Sequence, residues 1–479
     1  MERKMAIGRL GGGGLVRFAL LAVALLLTAS VGSARAGVFN PETFTLKNGM
    51  QVVVVPNHRA PVVTQMVYYR VGAADEADGK TGLAHFLEHL MFKGTKTHPA
   101  GTFSALVARN GGTENAFTST DYTGYFQTVA ADRLELVMEM EADRMTNLIL
   151  SPEEIEPERQ VVLEERAYRV DNRPGSRLSE HVNAALFMNH PYRRPVIGFD
   201  QEIRSLTVDD IRAFYKKWYG PDNAILIVAG DITADKVRPM AEKYFGAVPA
   251  AGIGPRVRPQ EPVQHAARTV TLKDDRVRQP SWSRTFLAPS HTSGETMHGY
   301  PLEALSQILS GGRTGRLYKA LVAERKLALS VGAYYDGDAL GPATFGFSGS
   351  PRPGVSLETL ADAIAAEIAL VLKEGVTQEE LQRAQRQLED SAIYARDSDR
   401  QGARALGSAL AIGRTVDDVE SWPERIRAVT VEQVNAAARA IFRDEASVTA
   451  FLLPTKERPA DGPVRIETMP TGREVLSDR

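Results

Sequence analysis

The sequence predicts an α+β protein built from two homologous domains, each a largely antiparallel sheet packed with helices on one face. Three observations lead there. The chain has 479 residues, more than one hydrophobic core ordinarily serves. Strand-like and helix-like periods alternate within each half instead of being segregated. And a segment near the middle recurs near the end. Ile203-Arg204-Ser205-Leu206-Thr207-Val208 leads through a helical pattern to the apolar strand at Ile225 to Val228, and Ile426-Arg427-Ala428-Val429-Thr430-Val431 leads in the same way from Val448 into Phe451-Leu452-Leu453. The offset is about 223 positions at both ends with no gap, as a duplicated unit requires.

The first 36 residues read as a signal peptide. Arg3, Lys4, Arg9 and Arg17 form a positive leader before the apolar run Phe18 to Ala29, which is too short for a membrane span. Ala34-Arg35-Ala36 offers small residues at the two positions a signal peptidase reads, so cleavage is expected near Ala36/Gly37. No cysteine follows the run, which excludes a lipoprotein, and no second long apolar stretch predicts stable membrane insertion. The mature chain is expected to be exported, in a bacterium to the periplasm.

The first domain is expected over 37–245. Phe44 to Val55 alternates around an Asn-Gly turn signal, and Val62 to Val71 follows as a second strand. Helical patterns cover about Gly82 to Phe92, Thr102 to Asn110 and Asp132 to Leu148. Residues 246–268, rich in Pro, Gly and Ala and without amphipathic period, read as a linker. In the second domain, 269–455, Val355 to Lys373 and Thr377 to Arg396 are helical. Thr377 with Glu380, Thr207 with Asp210, and Thr430 with Gln433 mark helix starts. A charged, proline-bearing tail, 456–479, closes the chain, and its composition allows disorder.

Composition narrows the chemistry. A hydrophobic content of 43% with 24% charge is that of a soluble globular protein, and a formal charge of −2 predicts no nucleic-acid partner. The absence of cysteine excludes disulfides, thiolate metal sites and cysteine nucleophiles. Any metal must be held by His, Asp or Glu.

Those residue types converge in Thr81 to Thr95 (TGLAHFLEHLMFKGT). His85, Glu88 and His89 stand at i, i+3 and i+4, which places all three on one helix face. Two imidazoles so spaced can reach one zinc ion, and a carboxylate beside it can take a proton from a bound water. Leu83, Leu87, Leu90 and Met91 would bury the rest of the helix. A hydrolytic zinc site takes three protein ligands and keeps one open position. Pro157 to Arg169 (PERQVVLEERAYR) reads as a helix with proline in its first turn, on which Glu158 and Glu165 share a face and Glu164 points about 100° away. One glutamate on that face could complete the site and a second could orient a ligand histidine. Spacing alone does not choose among them.

H-x-x-E-H with a glutamate about 76 residues beyond the second histidine resembles the pitrilysin-like or insulinase-like (M16) peptidases, which include the mitochondrial processing peptidase and its bacterial relatives. The resemblance implies that His85, His89 and Glu165 bind one Zn²⁺ per chain, that Glu88 activates the water, and that Glu158 supports from outside the ligand set. Gly111 to Thr118 is similar to the family's substrate-edge segment, so Asn115, Ala116 and Phe117 are implied to pair with an extended peptide; without it the segment reads as a plain loop leading into a strand. His190-Pro191-Tyr192 and the strand Ile225 to Gly230 fit as well. The implied protein is half of a clamshell, whose closed chamber admits unfolded peptides.

The second half departs from that pattern. Self-sufficient family members carry an Arg and a Tyr seven apart in a segment ending Gly-Leu-Ala-Tyr, which contact the substrate and the oxyanion. Alignment of Leu321 to Ser330 on Leu327-Ala328 puts Val322 and Leu329 at those positions, and neither side chain donates a hydrogen bond. A lost oxyanion donor costs on the order of 10²–10³ in rate. The expectation is a dimer with a homologous chain that supplies the Arg/Tyr pair, unless Tyr318, Tyr334 or Tyr335 takes the role. The competing expectations are a non-catalytic, peptidase-derived scaffold subunit of an exported complex and a metal-dependent amidase. Zinc is expected over manganese or cobalt from the ligand types.

Overall fold

The structure, a computed structural model, describes residues 37–456. The segment read as a signal peptide and the tail from residue 457 lie outside the described residues. Two sheets form the framework. The first contains β1 (Glu42–Thr45), β2 (Gln51–Pro56), β3 (Val62–Tyr69), β4 (Thr113–Thr118), β5 (Thr123–Ala130) and β6 (Ala224–Gly230), in the order β1-β2-β6-β3-β5-β4. The second contains β7 (Arg268–Asp274), β8 (Ser281–Ala288), β9 (Ala328–Asp336), β10 (Ala343–Pro351) and β11 (Ser447–Pro454), in the order β7-β11-β8-β10-β9. Each sheet is antiparallel but for one parallel pair, β2 with β6 and β7 with β11. Without β1 the two strand orders are the same.

The internal repeat is visible in detail. The helix Val208–Trp218 leads to β6 and the helix Val431–Ile441 leads to β11. Both open with a closed capping box, Thr207 with Asp210 and Thr430 with Gln433. The expected hairpin forms between β1 and β2, with Gly49 supplying a positive φ of 92° in the turn.

Helices on one face was the expectation, and here the structure differs. The central strands are apolar on both sides: β6 is buried at every residue, as are Val52 to Val55 of β2. One face carries the first domain's own helices. On the other, Val53, Met66, Tyr68, Ile225 and Ile227 pack against Ala403, Leu406 and Leu410 of the helix Asp399–Ala411, from the second half. In return, the helix Pro174–Leu186 of the first half places Leu178, Val182 and Leu186 against Val448 and Ala450 of β11. The two helices occupy corresponding places in the repeat, so each half contributes one helix to the other's sheet. Gly407 permits the close approach, since a Cβ there would lie 2.1 Å from the ring of Tyr68.

Between Gly246 and Ala267 the chain forms neither helix nor strand, yet it is fastened. Asp222 accepts the N–H groups of Ala251, Gly252 and Ile253 at 2.8–3.0 Å. Arg258 pairs with Asp75 at 2.5 Å and Asp121 at 3.2 Å. The buried Asp121 also accepts from the Tyr192 hydroxyl and, at 3.0 Å, from Leu340 N–H. His190-Pro191-Tyr192 is therefore a joint: His190 Nδ1 accepts Tyr192 N–H, and the Tyr192 hydroxyl receives Gly341 N–H of the second half at 2.8 Å.

Candidate active site

The motif helix spans Leu83–Leu90. Gly82, at φ 87°, precedes it and has no side chain with which to cap. Glu76 takes that role, its Oε1 accepting Ala84 N–H at 2.8 Å and its Oε2 accepting Gly82 N–H at 3.1 Å. Leu83, Phe86, Leu87 and Leu90 sink into the first core, which leaves His85, Glu88 and His89 on the opposite side. The imidazole centroids are 4.8 Å apart.

The second helix of the site runs over Pro152–Arg166, not from Pro157 to Arg169. Pro152, after Ser151, occupies the favourable first position, whereas Pro157 sits inside and removes one backbone hydrogen bond. Beyond Arg166 the chain widens into a π-helical turn, Ala167–Asp171. Glu158 and Glu165 face the motif helix, and Glu164 is exposed on another side. Oε1 of Glu158 lies 2.8 Å from His89 Nδ1, and its Oε2 lies 2.5 Å from Lys93 Nζ. Oε2 of Glu165 lies 3.1 Å from His89 Nε2 and 3.5 Å from His85 Nε2.

These distances bear on a metal. Donors 2.0–2.1 Å from a tetrahedral ion stand about 3.3 Å apart, and the two imidazole–carboxylate separations of 3.1 and 3.5 Å bracket that edge. Ligand atoms of His85, His89 and Glu165 all lie within 4.8 Å of one another, and among the described residues this is the one such group. His89 Nδ1, engaged by Glu158, leaves Nε2 facing the cluster, the usual support for a metal-binding imidazole. His85 Nδ1 is buried and has no hydrogen-bond partner among the described residues. The residues present fit a divalent cation of the zinc type.

Charge is graded across the cluster. Burial, with the neighbouring His89, lowers the His85 imidazole to about 4, so that ring is neutral. Burial also pulls His89 down, but hydrogen bonds to Glu158 and Glu165 outweigh it and lift the group to about 9. The His89 hydrogen bond lowers Glu165 to about 2. Burial raises Glu88 above the usual carboxylate range, against a hydrogen bond from Thr118 that draws it down.

The cluster opens into a cavity of about 800 Å³ bordered by Glu88, Phe92, Asn115, Ala116, Thr118 and Arg169. A larger groove of about 1140 Å³ runs beneath the linker and contains none of the cluster. Among the described residues β4 is an edge strand, paired with β5 alone, and no strand covers its other edge. Asn115 is exposed, and Ala116 packs toward the first core. Phe117 also borders the cavity, and its ring lies edge-on to Tyr68 at 5.6 Å and under the Arg404 guanidinium. Thr118, Arg169, Lys93 and Glu76 were not singled out from the sequence. Their types carry no signal without the fold, although Thr118 closes the segment read as a substrate edge.

In the second half, Val322 is buried in the second core and Leu329 is 52% exposed on β9. Tyr318 packs on that core, Tyr335 donates to the Pro289 carbonyl at 2.7 Å, and Tyr334 lies over Gly346. None of the three borders the cavity at His85.

Fold and site together define a two-domain α+β protein with an inverted H-x-x-E-H cluster on one half and, among the described residues, no counterpart on the other. Comparison with known proteins agrees. The insulinase (peptidase family M16) model matches residues 51–200, and the peptidase M16 inactive domain matches residues 205–388. The chain is 33% identical over 443 residues to the zinc protease PqqE of Helicobacter pylori, across 91% of this chain and 98% of that one. It is 26% identical over 425 residues to the zinc protease YmxG of Bacillus subtilis, across 87% and 99%. A crystal structure of a protease from Helicobacter pylori superposes with a TM-score of 0.80 at 32% identity, covering 87% of this chain and 99% of that one. This chain belongs to the M16 family of peptidases.

Proposed function

We propose that this chain is a zinc-dependent endopeptidase that hydrolyses unfolded peptides or short polypeptides inside a closed chamber. In this reading His85, His89 and Glu165 hold one Zn²⁺ and Glu88 is the base. The observation that carries it is the convergence of those three donors beside Glu88 and the open edge of β4. Zinc bound there supplies a Lewis acid for the scissile carbonyl and a water of lowered pKa. The remaining work falls to the chain's own side chains. Glu88 accepts the water's proton and passes it to the leaving amine. Its raised affinity for a proton suits it to hold one between the two events. Thr118 engages Oε2, which leaves Oε1 for the reacting atoms. Glu158 and Lys93 keep the His89 ring in place.

The open edge of β4 suits an extended peptide paired through its backbone, which favours chains without stable structure and asks little of their sequence. The residues at positions 322 and 329 support a second, homologous chain that completes the dimer and supplies the Arg/Tyr pair. Export to the periplasm rests on the leader sequence.

Cleavage of a quenched fluorogenic peptide by the purified mature chain, with and without chelator, tests the reading. Chelator-sensitive activity that disappears in Glu88→Gln, with zinc retained, is the expected result once the partner is present. His85→Ala and Glu165→Ala should lose the metal. A chain that binds no zinc, or that binds it and cleaves nothing with any homologous partner, would instead be the scaffold subunit.

A further inference from the structure

Arg169 stands four residues beyond Glu165, within the π-helical turn Ala167–Asp171. Its Nη1 lies 2.6 Å from Glu165 Oε1, while Oε2 of the same carboxylate faces the two imidazoles at 3.1 and 3.5 Å. The two oxygens of Glu165 thus have separate occupations. We propose that Arg169 is a positioning residue for metal binding, which holds Oε1 and presents Glu165 to the cation through Oε2 alone. The inference rests on the reading of His85, His89 and Glu165 as the metal ligands.

The chemistry gives the device a purpose. A carboxylate with both oxygens free can clamp an ion at two points, and the second oxygen then takes the position that a hydrolytic site must keep open. A planar, permanently charged guanidinium on Oε1 removes that option. It also fixes the carboxylate's rotation, which a glutamate on a half-exposed helix end otherwise lacks. The other arginines of this stretch are engaged elsewhere. Arg166 is buried against Glu180 and the Gly198 carbonyl, and Arg173 lies over the Tyr168 ring. Arg169 is 59% exposed, makes its ion pair with Glu165, and borders the same cavity as Glu88. The widened turn sits directly after the helix that carries Glu165, where π-turns are often found at functional sites.

The test is metal affinity and coordination, apart from activity. Zinc dissociation constants would be measured on the full mature chain by competition with a chromophoric chelator, for the native protein, Arg169→Ala and Arg169→Lys. Loss of an outer partner weakens metal binding by about 10–100-fold, and that is the expected result for Arg169→Ala, with partial recovery in Arg169→Lys. Cobalt substitution reads the geometry: the native protein should show the intense visible bands of a four-coordinate ion, and Arg169→Ala the weaker bands of a higher coordination number. Thermal unfolding of the metal-free proteins should be unchanged, because Arg169 is mostly exposed. Native zinc affinity and a native cobalt spectrum in Arg169→Ala would overturn the inference. Zinc retained by Glu165→Ala would overturn the ligand reading beneath it, so the two failures are distinguishable.

Discussion

The hydroxyl of Thr118 donates to Oε2 of Glu88 at 2.5 Å, tying the last residue of β4 to the acid on the motif helix. The strand edge proposed to align a substrate and the group proposed to move its proton are therefore mechanically joined. Hydrogen bonds to charged groups contribute about 1.5–3 kcal/mol. Thr118→Val keeps the shape and loses the donor, so kcat should fall by about 10–100-fold with zinc content unchanged. Thr118→Ser should recover most of the rate. Steady-state kinetics with metal analysis on the three proteins checks this.

Glu76 substitutes for the cap that Gly82 cannot provide. Glu76→Ala leaves the N–H groups of Gly82 and Ala84 buried without partners, at a cost of about 1–3 kcal/mol for each. Glu76→Gln retains an acceptor oxygen and should lose less. Urea unfolding of the metal-free proteins gives both values.

Gly82 itself should not tolerate a side chain. Its φ is 87°, and a Cβ there would meet the Ile197 carbonyl at 2.7 Å. The left-handed conformation alone costs an alanine about 1–2 kcal/mol, and the contact adds to it. Gly82→Ala should lower the melting temperature and displace the start of the motif helix, which equilibrium dialysis would register as weaker zinc binding.

The exchanged helices make the halves interdependent. Leu406 is fully buried against the first sheet although it belongs to the second half. Leu406→Ala should cost about 2–5 kcal/mol. Trp218 reports on the first half and Trp282 on the second, so single-tryptophan proteins should show coincident unfolding curves in both backgrounds. Separate transitions would mean that the exchange couples the halves weakly.

The joint between the halves should loosen in acid. Burial, with Arg258 nearby, lowers His190 from 6.5 to about 4. A histidine depressed in the folded state takes up its proton first in the unfolded chain, so stability is complete above pH 6.5 and declines as pH falls toward 4. His190→Asn keeps an acceptor for Tyr192 N–H and removes the titration. Its unfolding midpoint should vary less with pH over that interval than that of the native protein.

Much of the molecule was legible beforehand, in places where the cause is local. The helix around His85 to His89, the capping boxes at Thr207, Thr377 and Thr430, and the turn at Asn48-Gly49 each depend on residues within four positions of one another. The offset of the repeat carried through to β6 and β11 because no insertion separates helix from strand in either copy. The glutamate helix begins earlier than the expected Pro157, because Pro152 takes the first turn and Pro157 is accommodated inside the helix. The expectation of helices on one face failed for a different reason. The uniformly apolar β2 and β6 called for a second cover, but a sequence does not say where in the chain that cover comes from.

The sequence by itself carried the resemblance to the family, the spacing that puts His85, Glu88 and His89 on one face, the duplication, and Val322 and Leu329 at the positions where the resemblance implies donors. The spacing follows from periodicity and residue type, which act over a few positions, the duplication from a repeat read along the whole chain, and the remainder from the resemblance. The resemblance implied the parts of Glu165 and Glu158, and the tertiary structure supplies their distances to the imidazoles; only the tertiary structure decided that Thr118 and Arg169 hold Glu88 and Glu165, and that each half covers the other's sheet. Apart from the Arg169–Glu165 pair, four positions apart on one helix end, such relationships join residues tens to hundreds of positions apart, and they depend on which surfaces remain to be buried after the local elements have formed.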